Sequence, residues 1–236
     1  SNQLSIGMKL SDNLESGRYT NKLIFSILTN NYDPIAIMTE GPDFNYGLKS
    51  LETTTNKIEH FKKSSTPPAT TANAKNIEDE DSDYEIKLWL DPTDKTAYYY
   101  AEPEKVHLNE NSRSMFFRMS NLTSLNLSSF DTSKVTNMND MFYNMSSLAS
   151  LDLSNFDTSN VVDMEGMFSG MSSLASLDLT NFDTSKVINM EAMFRDIRNL
   201  TTLNLSNFNT SQVTDMYLMF SGMSSLTSLD LSNFDT

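Results

Sequence analysis

Apolar and polar positions repeat every 26 residues from Met115 to the end of the chain. Each unit carries a Met-Phe pair, leucines with the spacing L-x-x-L-x-L and then a phenylalanine, which a valine follows in all units but the last. Self-similarity with a period of about 20–50 residues is typical of a solenoid, in which each unit buries its apolar face only against its neighbours. The pattern therefore predicts a stack of similar units, an architecture that usually binds other molecules and rarely catalyses a reaction.

The residues of one unit predict a strand followed by a helix. Leu151 and Leu153 alternate with polar residues, so a strand is predicted whose leucines point inward. Asp157-Thr158-Ser159 follow, and these residue types favour the start of a helix. The next apolar residues recur at i, i+3, i+7 and i+10, which places them on one face of a helix: Val161, Met164, Phe168 and Met171.

The predicted helix ends at a position that holds Gly, Asn or Asp in four of the five units. These residues tolerate the left-handed backbone conformation that commonly ends a helix, whereas the first unit departs from the pattern with an arginine. The equivalent positions are Arg118, Asn144, Gly170, Asp196 and Gly222. The predicted fold class is α/β: a leucine-rich repeat solenoid of strand-turn-helix units, with a parallel sheet on one face.

The core of this solenoid is predicted from the aromatic residues and the methionines. Stacked strands lie ~4.8 Å apart, so the phenylalanines that follow the strands are expected to form an internal ladder. Thirteen of the 15 methionines lie in the repeats, at helical spacing, and are interpreted as core rather than as a metal site. The predicted ladder consists of Phe130, Phe156, Phe182, Phe208 and Phe234.

The part before the repeats lacks the period. Residues 1–63 are predicted as a mixed α/β extension, with a short helix or strand at 19–30, a strand at 35–38, a helix at 44–51 and a strand at 57–62. Residues 64–82 are predicted as a linker or mobile loop, because they contain Pro67-Pro68, a Thr/Ala/Asn tract and an acidic run. The acidic run has two interpretations, a calcium site or a solvated linker, and its lack of ordered loop spacing favours the linker.

Residues 83–114 are predicted as a β-hairpin cap for the first repeat. Residues 84–90 alternate, Pro92 lies in a turn and residues 96–101 return through three tyrosines; a short strand at 105–108 follows. A solenoid needs such a cap because its end units would otherwise expose the core. Trp89, Tyr98 and Tyr100 are interpreted first as packing residues of this cap and alternatively as an aromatic platform for a ligand.

Charge and composition exclude several functions. The net charge is −14 and the pI about 4.4, which disfavours binding to nucleic acid or to an anionic membrane surface. The absence of cysteine removes disulfides, thiol nucleophiles and cysteine-based metal sites. Asp152 and Asp178 are predicted to stack, as a calcium site or an acid–base pair would require. Asn126 and Asn204 replace them in other units, so the column requires polarity rather than charge, and we predict no cofactor, no metal and no enzyme activity.

The repeat resembles the BspA-like leucine-rich repeat surface proteins of bacteria, with units of the form M-F-x-x-M-x-x-L-x-x-L-D-L-S-x-F-D-T-S-x-V-x-x-M. In this chain that unit begins at Met141-Phe142 and ends at Met164. The common leucine-rich repeat has Asn at the ninth position of its motif, where this chain has Phe. The resemblance covers residues 115–236 and implies a secreted, extracellular protein of the cell surface that is often adhesive.

Two functions follow as hypotheses. The first is a non-catalytic surface module, an adhesin that binds a host or matrix protein or a glycan. The alternative is a structural stalk that projects another domain and has no ligand of its own. The repeats vary mainly on the predicted helix side, so we place the candidate binding surface there and on the aromatic hairpin: Trp89, Tyr98, Tyr100, Tyr143, Arg195 and Tyr217.

The two ends of the chain carry expectations of their own. Ser1-Asn2 reads as the remainder of a tag. The sequence stops at Thr236, where the next predicted helix would begin, so the native protein is expected to continue. An uncapped last unit would expose apolar core and a strand edge. We therefore expect self-association through the C-terminal repeat. No run approaches the ~18–20 apolar residues of a spanning helix, so no insertion into a membrane is expected.

Overall fold

The computed structural model describes residues 33–70 and 73–235, so the segment predicted at 19–30 lies outside the described residues. From Pro34 onwards the chain forms one compact unit. It is mixed α/β and mostly sheet, with one helix within the described ranges. The elements are α1 (Gly41–Lys49), β1 (His60–Lys63), β2 (Lys75–Asn76), β3 (Lys87–Asp91), β4 (Thr96–Tyr100), β5 (Val106–His107), β6 (Ser124–Leu125) and β7 (Phe130–Asp131).

A five-stranded sheet joins the N-terminal part of the unit to the first repeat. Its strand order is β2-β3-β4-β1-β6. Strands β3 and β4 form the predicted antiparallel hairpin, with Trp89 opposite Tyr98. Strand β1 lies parallel to both β4 and β6, with Phe61 opposite Ala97 and Leu125. Residues 60–63 are therefore not part of a separate extension, as the sequence predicts, but supply the strand between the hairpin and the repeats.

Helix α1 covers the beginning of the first repeat. Pro42 stands in its first turn, where the missing N–H of proline has no intrahelical partner to lose. Asn45 donates hydrogen bonds from Nδ2 to the carbonyl oxygens of Met115 and Phe117, both at 3.2 Å. A Cβ atom on Gly41 would lie 2.1 Å from the carbonyl oxygen of Arg113, so only glycine permits this close approach.

The predicted linker is wrong for residues 73–82. Strand β2 pairs with β3 in this segment, and the side chain of Ile77 is 4% exposed. The acidic run is held by hydrogen bonds: Glu78 accepts one from the backbone N–H of Ile86 at 2.9 Å, and Asp79 accepts one from Asn109 at 2.7 Å. The segment is ordered because it buries an apolar side chain and pairs its backbone, which composition alone does not reveal.

The predicted helices of the repeats are also wrong, because the structure has turns in their place between residues 115 and 235. Each unit contains two left-handed residues four apart, such as Asp140 at φ 53° and Asn144 at φ 56°. A helix requires right-handed residues throughout. The left-handed positions are Ser114, Asp140, Gly166, Ala192 and Leu218 in one column and Arg118, Asn144, Gly170, Asp196 and Gly222 in the other.

Backbone groups in these turns bond alternately within a unit and between units. The N–H of Met141 donates to the carbonyl of Met138 in its own turn, at 3.1 Å. The N–H of Phe142 donates to the carbonyl of Met167 in the next unit, at 3.0 Å. The same bond recurs one unit on, from Phe168 to Met193 at 3.0 Å. The turns are therefore stable only as part of a stack, since half of their donors depend on the neighbouring unit.

The predicted strand of each unit forms only in the first, as β6. In the described residues of later units, parallel bridges occur elsewhere, along the column Asn111, Asn137, Asp163, Asn189 and Asp215. The L-x-L segment instead turns early: Asp152 Oδ1 accepts a hydrogen bond from the N–H of Ser154 at 3.0 Å. Such a local bond between side chain and backbone competes with strand pairing.

Aromatic stacking runs through the phenylalanine of the Met-Phe pair. Phe168 lies between Phe142 and Phe194, with ring centroids 5.9 Å apart on both sides and interplanar angles of 10° and 6°. Of the predicted ladder, Phe130, Phe156, Phe182 and Phe208 are buried and Phe234 is partly buried. Phe156 contacts Phe142 at 6.3 Å with a tilt of 38°, so this second column packs against the stack.

Two polar ladders also connect the units. Asn181 donates from Nδ2 to the carbonyls of Leu153 and Phe156 at 3.0 and 2.7 Å, and Asn155, Asn207 and Asn233 do the same in their units. Thr158 Oγ1 donates to the carbonyl of Asp183 at 2.9 Å and accepts from its N–H at 2.8 Å. An asparagine ladder therefore exists, at the position before the phenylalanine.

Candidate binding site

The Asp and Asn side chains in the column that contains Asp152 accept hydrogen bonds from backbone N–H groups. Asp152 and Asn126 each accept a hydrogen bond from the N–H two residues on, at 3.0 Å. The hydrogen bonds from the backbone and side chain of Ser154 lower the pKa of Asp152. Asn accepts the same backbone bond, which explains why both residue types occur in the column. In the described part of the chain, no three His, Asp or Glu side chains come together as a metal site would require.

The aromatic hairpin presents a stacked pair on one face of the sheet. The rings of Trp89 and Tyr98 lie 5.7 Å apart at 20°, and both residues are half-buried. Lys62 lies over the Tyr98 ring at 5.2 Å, and the Tyr98 hydroxyl donates to Asp94 at 2.8 Å. Tyr100 is half-buried on β4. These contacts occupy both the ring face and the hydroxyl of Tyr98, so the hairpin pair serves mainly its own packing.

A second aromatic pair lies where α1 meets the repeats. Phe117 and Tyr143 stack at 5.0 Å and 20°. Arg118 lies 4.9 Å from the centre of the Phe117 ring and 5.9 Å from that of Tyr143, while Lys49 lies over Phe117 at 5.3 Å. Burial, and secondly the nearby charge of Arg118, lowers the pKa of Lys49. Cations therefore collect beside these rings.

A notch opens next to Tyr143 because side-chain size alternates between successive units. Tyr143-Asn144 is followed at the equivalent positions by Ser169-Gly170 and then by Arg195-Asp196. The small middle pair leaves a cavity of about 270 Å³, lined by these six residues together with Ser172 and Arg198. Gly170 has φ +75°, and a Cβ atom there would lie 3.0 Å from Asn144 Oδ1. The backbone of Gly170 therefore forms the floor of the notch.

Two arginines share one carboxylate at the rim of the notch. Arg195 Nε lies 3.5 Å from Asp196 Oδ2, and Arg198 Nη2 lies 3.0 Å from Asp196 Oδ1. The side chains of Arg195 and Arg198 are 47% and 63% exposed, so both guanidinium groups remain open to an approaching ligand. The three charges sum to +1 on a chain whose net charge is −14.

Asp140 is the most perturbed carboxyl group near this face. Burial, and secondly the charge of Glu165, raises the pKa of Asp140 to about 6. Its Oδ1 lies 2.3 Å from where a Cβ atom of residue 166 would be, so the glycine at 166 makes room for the carboxylate. Asp140 does not line the notch, and its raised pKa follows from burial of the carboxylate against Gly166.

The predicted surface residues are therefore only partly brought together. Tyr143 and Arg195 both line the notch, whereas Trp89 and Tyr98 pair with each other on the hairpin. Tyr217 is 66% exposed and lines no part of the notch. Sequence reasoning missed Arg198, although a signal existed: the equivalent position is serine in the other units, at Ser120, Ser146, Ser172 and Ser224.

Comparison with known proteins gives one match. The profile of a family described as "Mycoplasma protein of unknown function, DUF285" matches residues 110–234, slightly more than half of the chain. Neither the curated proteins nor the solved structures yielded a match. Nowhere in the described ranges is a helix long and apolar enough to cross a bilayer.

Proposed function

We propose that this chain, which belongs to the DUF285 family, is a non-catalytic binding module of the bacterial cell surface, whose contact site is the notch between Tyr143 and Arg195. The observation that carries this proposal is the break in regularity at the notch. Tyrosine and arginine, the residue types enriched at binding hot spots, converge there on a chain whose repeats otherwise expose mostly Ser, Thr, Asp and Asn.

The same proposal includes the fold family and the location. The L-x-x-L-x-L spacing and the asparagine ladder support a leucine-rich repeat solenoid whose backbone ladder runs through the turns rather than through an inner sheet. The resemblance of the unit to BspA-like surface repeats supports a secreted protein displayed on the cell. Surface labelling of intact cells that express the full-length protein tests this location.

A structural stalk is the second candidate function, and the continuity of the unit-to-unit bonding favours it. Thr158, Asn181 and the stacked Phe168 each tie one unit to the next, and their equivalents repeat these contacts along the stack. The face that carries Leu151 and Leu177 presents only small polar side chains around the leucines. A spacer requires such mechanical continuity and no ligand.

Binding of the whole chain to a panel of matrix proteins and glycans distinguishes the two functions. For a partner found in this way, Tyr143→Ala should weaken binding by about tenfold or more, as expected for a hot-spot tyrosine. Tyr217→Ala is the matched control, because Tyr217 is an exposed tyrosine of the repeats outside the notch. A partner that tolerates Tyr143→Ala would place the site elsewhere, and a panel without any partner would favour the stalk.

A further inference from the structure

We infer that the notch binds a saccharide that carries a carboxylate group, an assignment that rests on the proposed binding function. The first argument is the charge balance at its rim. Arg195 and Arg198 face the single carboxylate of Asp196, which leaves one uncompensated positive charge. On the Tyr143 side, outside the notch lining, Arg118 lies over the aromatic pair. It forms no ion pair within 4 Å among the described residues, and its charge acts on Asp140.

The second argument is the geometry of the donors. Asp196 engages Nε of Arg195 and both Nε and Nη2 of Arg198, at 3.5, 3.4 and 3.0 Å. A guanidinium group has five N–H donors in a planar fork, so each arginine keeps donors that Asp196 does not use. Planar forks favour carboxylates, which they bind with two parallel hydrogen bonds. Asp196 thereby also orients both arginines for a second carboxylate.

The third argument is the shape and lining of the cavity. Its volume of about 270 Å³ lies just below the ~300 Å³ at which pockets for drug-sized ligands begin, so it suits a single ring. Ser169, Ser172 and Asn144 supply hydroxyl and amide groups, and Tyr143 supplies the aromatic ring. No aliphatic side chain lines the notch. A sugar ring matches this lining, whereas a peptide would need an apolar pocket for its anchor residue.

The overall charge of the chain further restricts the class of ligand. With a net charge of −14, the chain repels densely charged polyanions at long range. One local positive charge at the notch is enough for a single carboxylate but not for a run of sulfates or phosphates. The favoured ligand is therefore a uronic-acid-type sugar with one carboxylate, at a chain end or separated by neutral sugars.

The test compares three probes by NMR titration of the ¹⁵N-labelled chain: methyl glucuronide, methyl glucoside and a tetraglutamate peptide. Methyl glucuronide should shift the amide signals of Ser169 and Gly170 and the Nε–H signal of Arg195. The glucoside carries a neutral hydroxymethyl group in place of the carboxylate. It cannot form the charge-assisted bonds, so it should bind more weakly by about tenfold or more. Binding of the glucuronide should also weaken with added salt.

Variants then locate the site. Arg195→Gln and Arg198→Gln should each reduce glucuronide binding by about tenfold, and both side chains are exposed, so the fold should persist with an unchanged melting temperature. Lys186→Gln is the control, since it removes an exposed positive charge that contacts Asn160 outside the notch.

Each contrary result overturns the assignment in a distinguishable way. Equal binding of glucoside and glucuronide, or stronger binding of tetraglutamate, would refute the acidic saccharide while the notch remained a binding site. Absence of shifts with all three probes would refute the acidic saccharide as well. The panel experiment would then decide separately whether the chain binds a partner at all.

Discussion

Thr158 offers the sharpest test of how the repeats hold together. Its side chain is 1% exposed, and its Oγ1 makes two hydrogen bonds to the backbone of Asp183 in the next unit, at 2.9 and 2.8 Å. Thr158→Val keeps the shape but leaves the N–H and the carbonyl of Asp183 without these partners. An unsatisfied buried polar group costs ~1–3 kcal/mol. We therefore expect the variant to lose about 2–4 kcal/mol of unfolding free energy.

Two further variants separate the hydrogen bonds from packing. Thr158→Ser keeps the hydroxyl and loses one methyl group, so it should cost only about 1 kcal/mol. Thr214 is an exposed threonine whose Oγ1 donates to the carbonyl of Ile188 at 3.1 Å. Water can replace that bond, so Thr214→Val should change stability by less than about 0.5 kcal/mol.

Denaturant unfolding and amide hydrogen exchange provide the measurements. Exchange is needed because stacked repeats can unfold in parts, which makes a single global free energy incomplete. In Thr158→Val, the amide of Asp183 should exchange at least ~30-fold faster, the equivalent of about 2 kcal/mol. The amide of Asn209, which bonds to Thr184, should change less. If Thr158→Val were no less stable than Thr214→Val and left Asp183 protected, the threonine ladder would not stabilise the stack.

Four further predictions concern the core, the carboxyl groups and the backbone. Phe168→Ala and Phe156→Ala should each lower the unfolding free energy by about 3–5 kcal/mol, because both rings are buried; an unchanged denaturation midpoint would contradict their burial. The folded pKa of Asp140 is raised to about 6, so its contribution to stability is present below the unfolded pKa near 4 and is lost as the pH rises through 6. The unfolding free energy of Asp140→Asn should therefore rise relative to that of the unmutated chain between pH 4 and pH 7, by on the order of 1 kcal/mol after allowance for partial exposure. A difference in melting temperature that does not depend on pH would refute this. Gly166→Ala should cost about 1–2 kcal/mol, because residue 166 has φ +57° and faces Asp140. Gly47→Ala in α1 would meet only ordinary contacts at 3.5 Å and should stabilise the fold by ~0.5–1 kcal/mol. Equal effects of the two variants in thermal melts would contradict the left-handed conformation of residue 166. A chelator should leave the melting temperature unchanged, since the aspartate columns accept backbone hydrogen bonds; a fall restored by calcium but not by magnesium would show that they bind the metal.

Part of the binding site could be predicted from the 26-residue period alone. Residues one period apart become neighbours when units stack, so Tyr143, Ser169 and Arg195 form one column. The large-small-large order of that column already implies a notch. The period also marks Arg198 as unusual, because serine occupies the equivalent position in the other units. Its ion pair with Asp196 could not be derived from the period, because that contact depends on how the side chain folds back.

The pattern of apolar residues is enough to predict which residues are buried and where each unit begins. Leu148, Val161, Met164 and Phe168 are buried, as the pattern predicted. Gly, Asn and Asp also marked one of the two left-handed columns. The other column, which holds Asp140, Ala192 and Leu218, carries no such signal because alanine and leucine do not favour positive φ.

The choice between a helix and a series of turns depends on contacts between units and is not encoded in the local pattern. Apolar residues at i, i+3 and i+7 share a face in either case, so the pattern records burial but not the path of the backbone. In a helix the carbonyl of Met167 would be satisfied four residues along the chain; here it accepts from Phe142 in the preceding unit. The sequence predicts the strand that becomes β1, but its place between the hairpin and the first repeat depends on pairing with β4 and the distant β6. In both cases the hydrogen-bond partner lies far along the chain, and a local pattern of polarity does not encode where that partner will be.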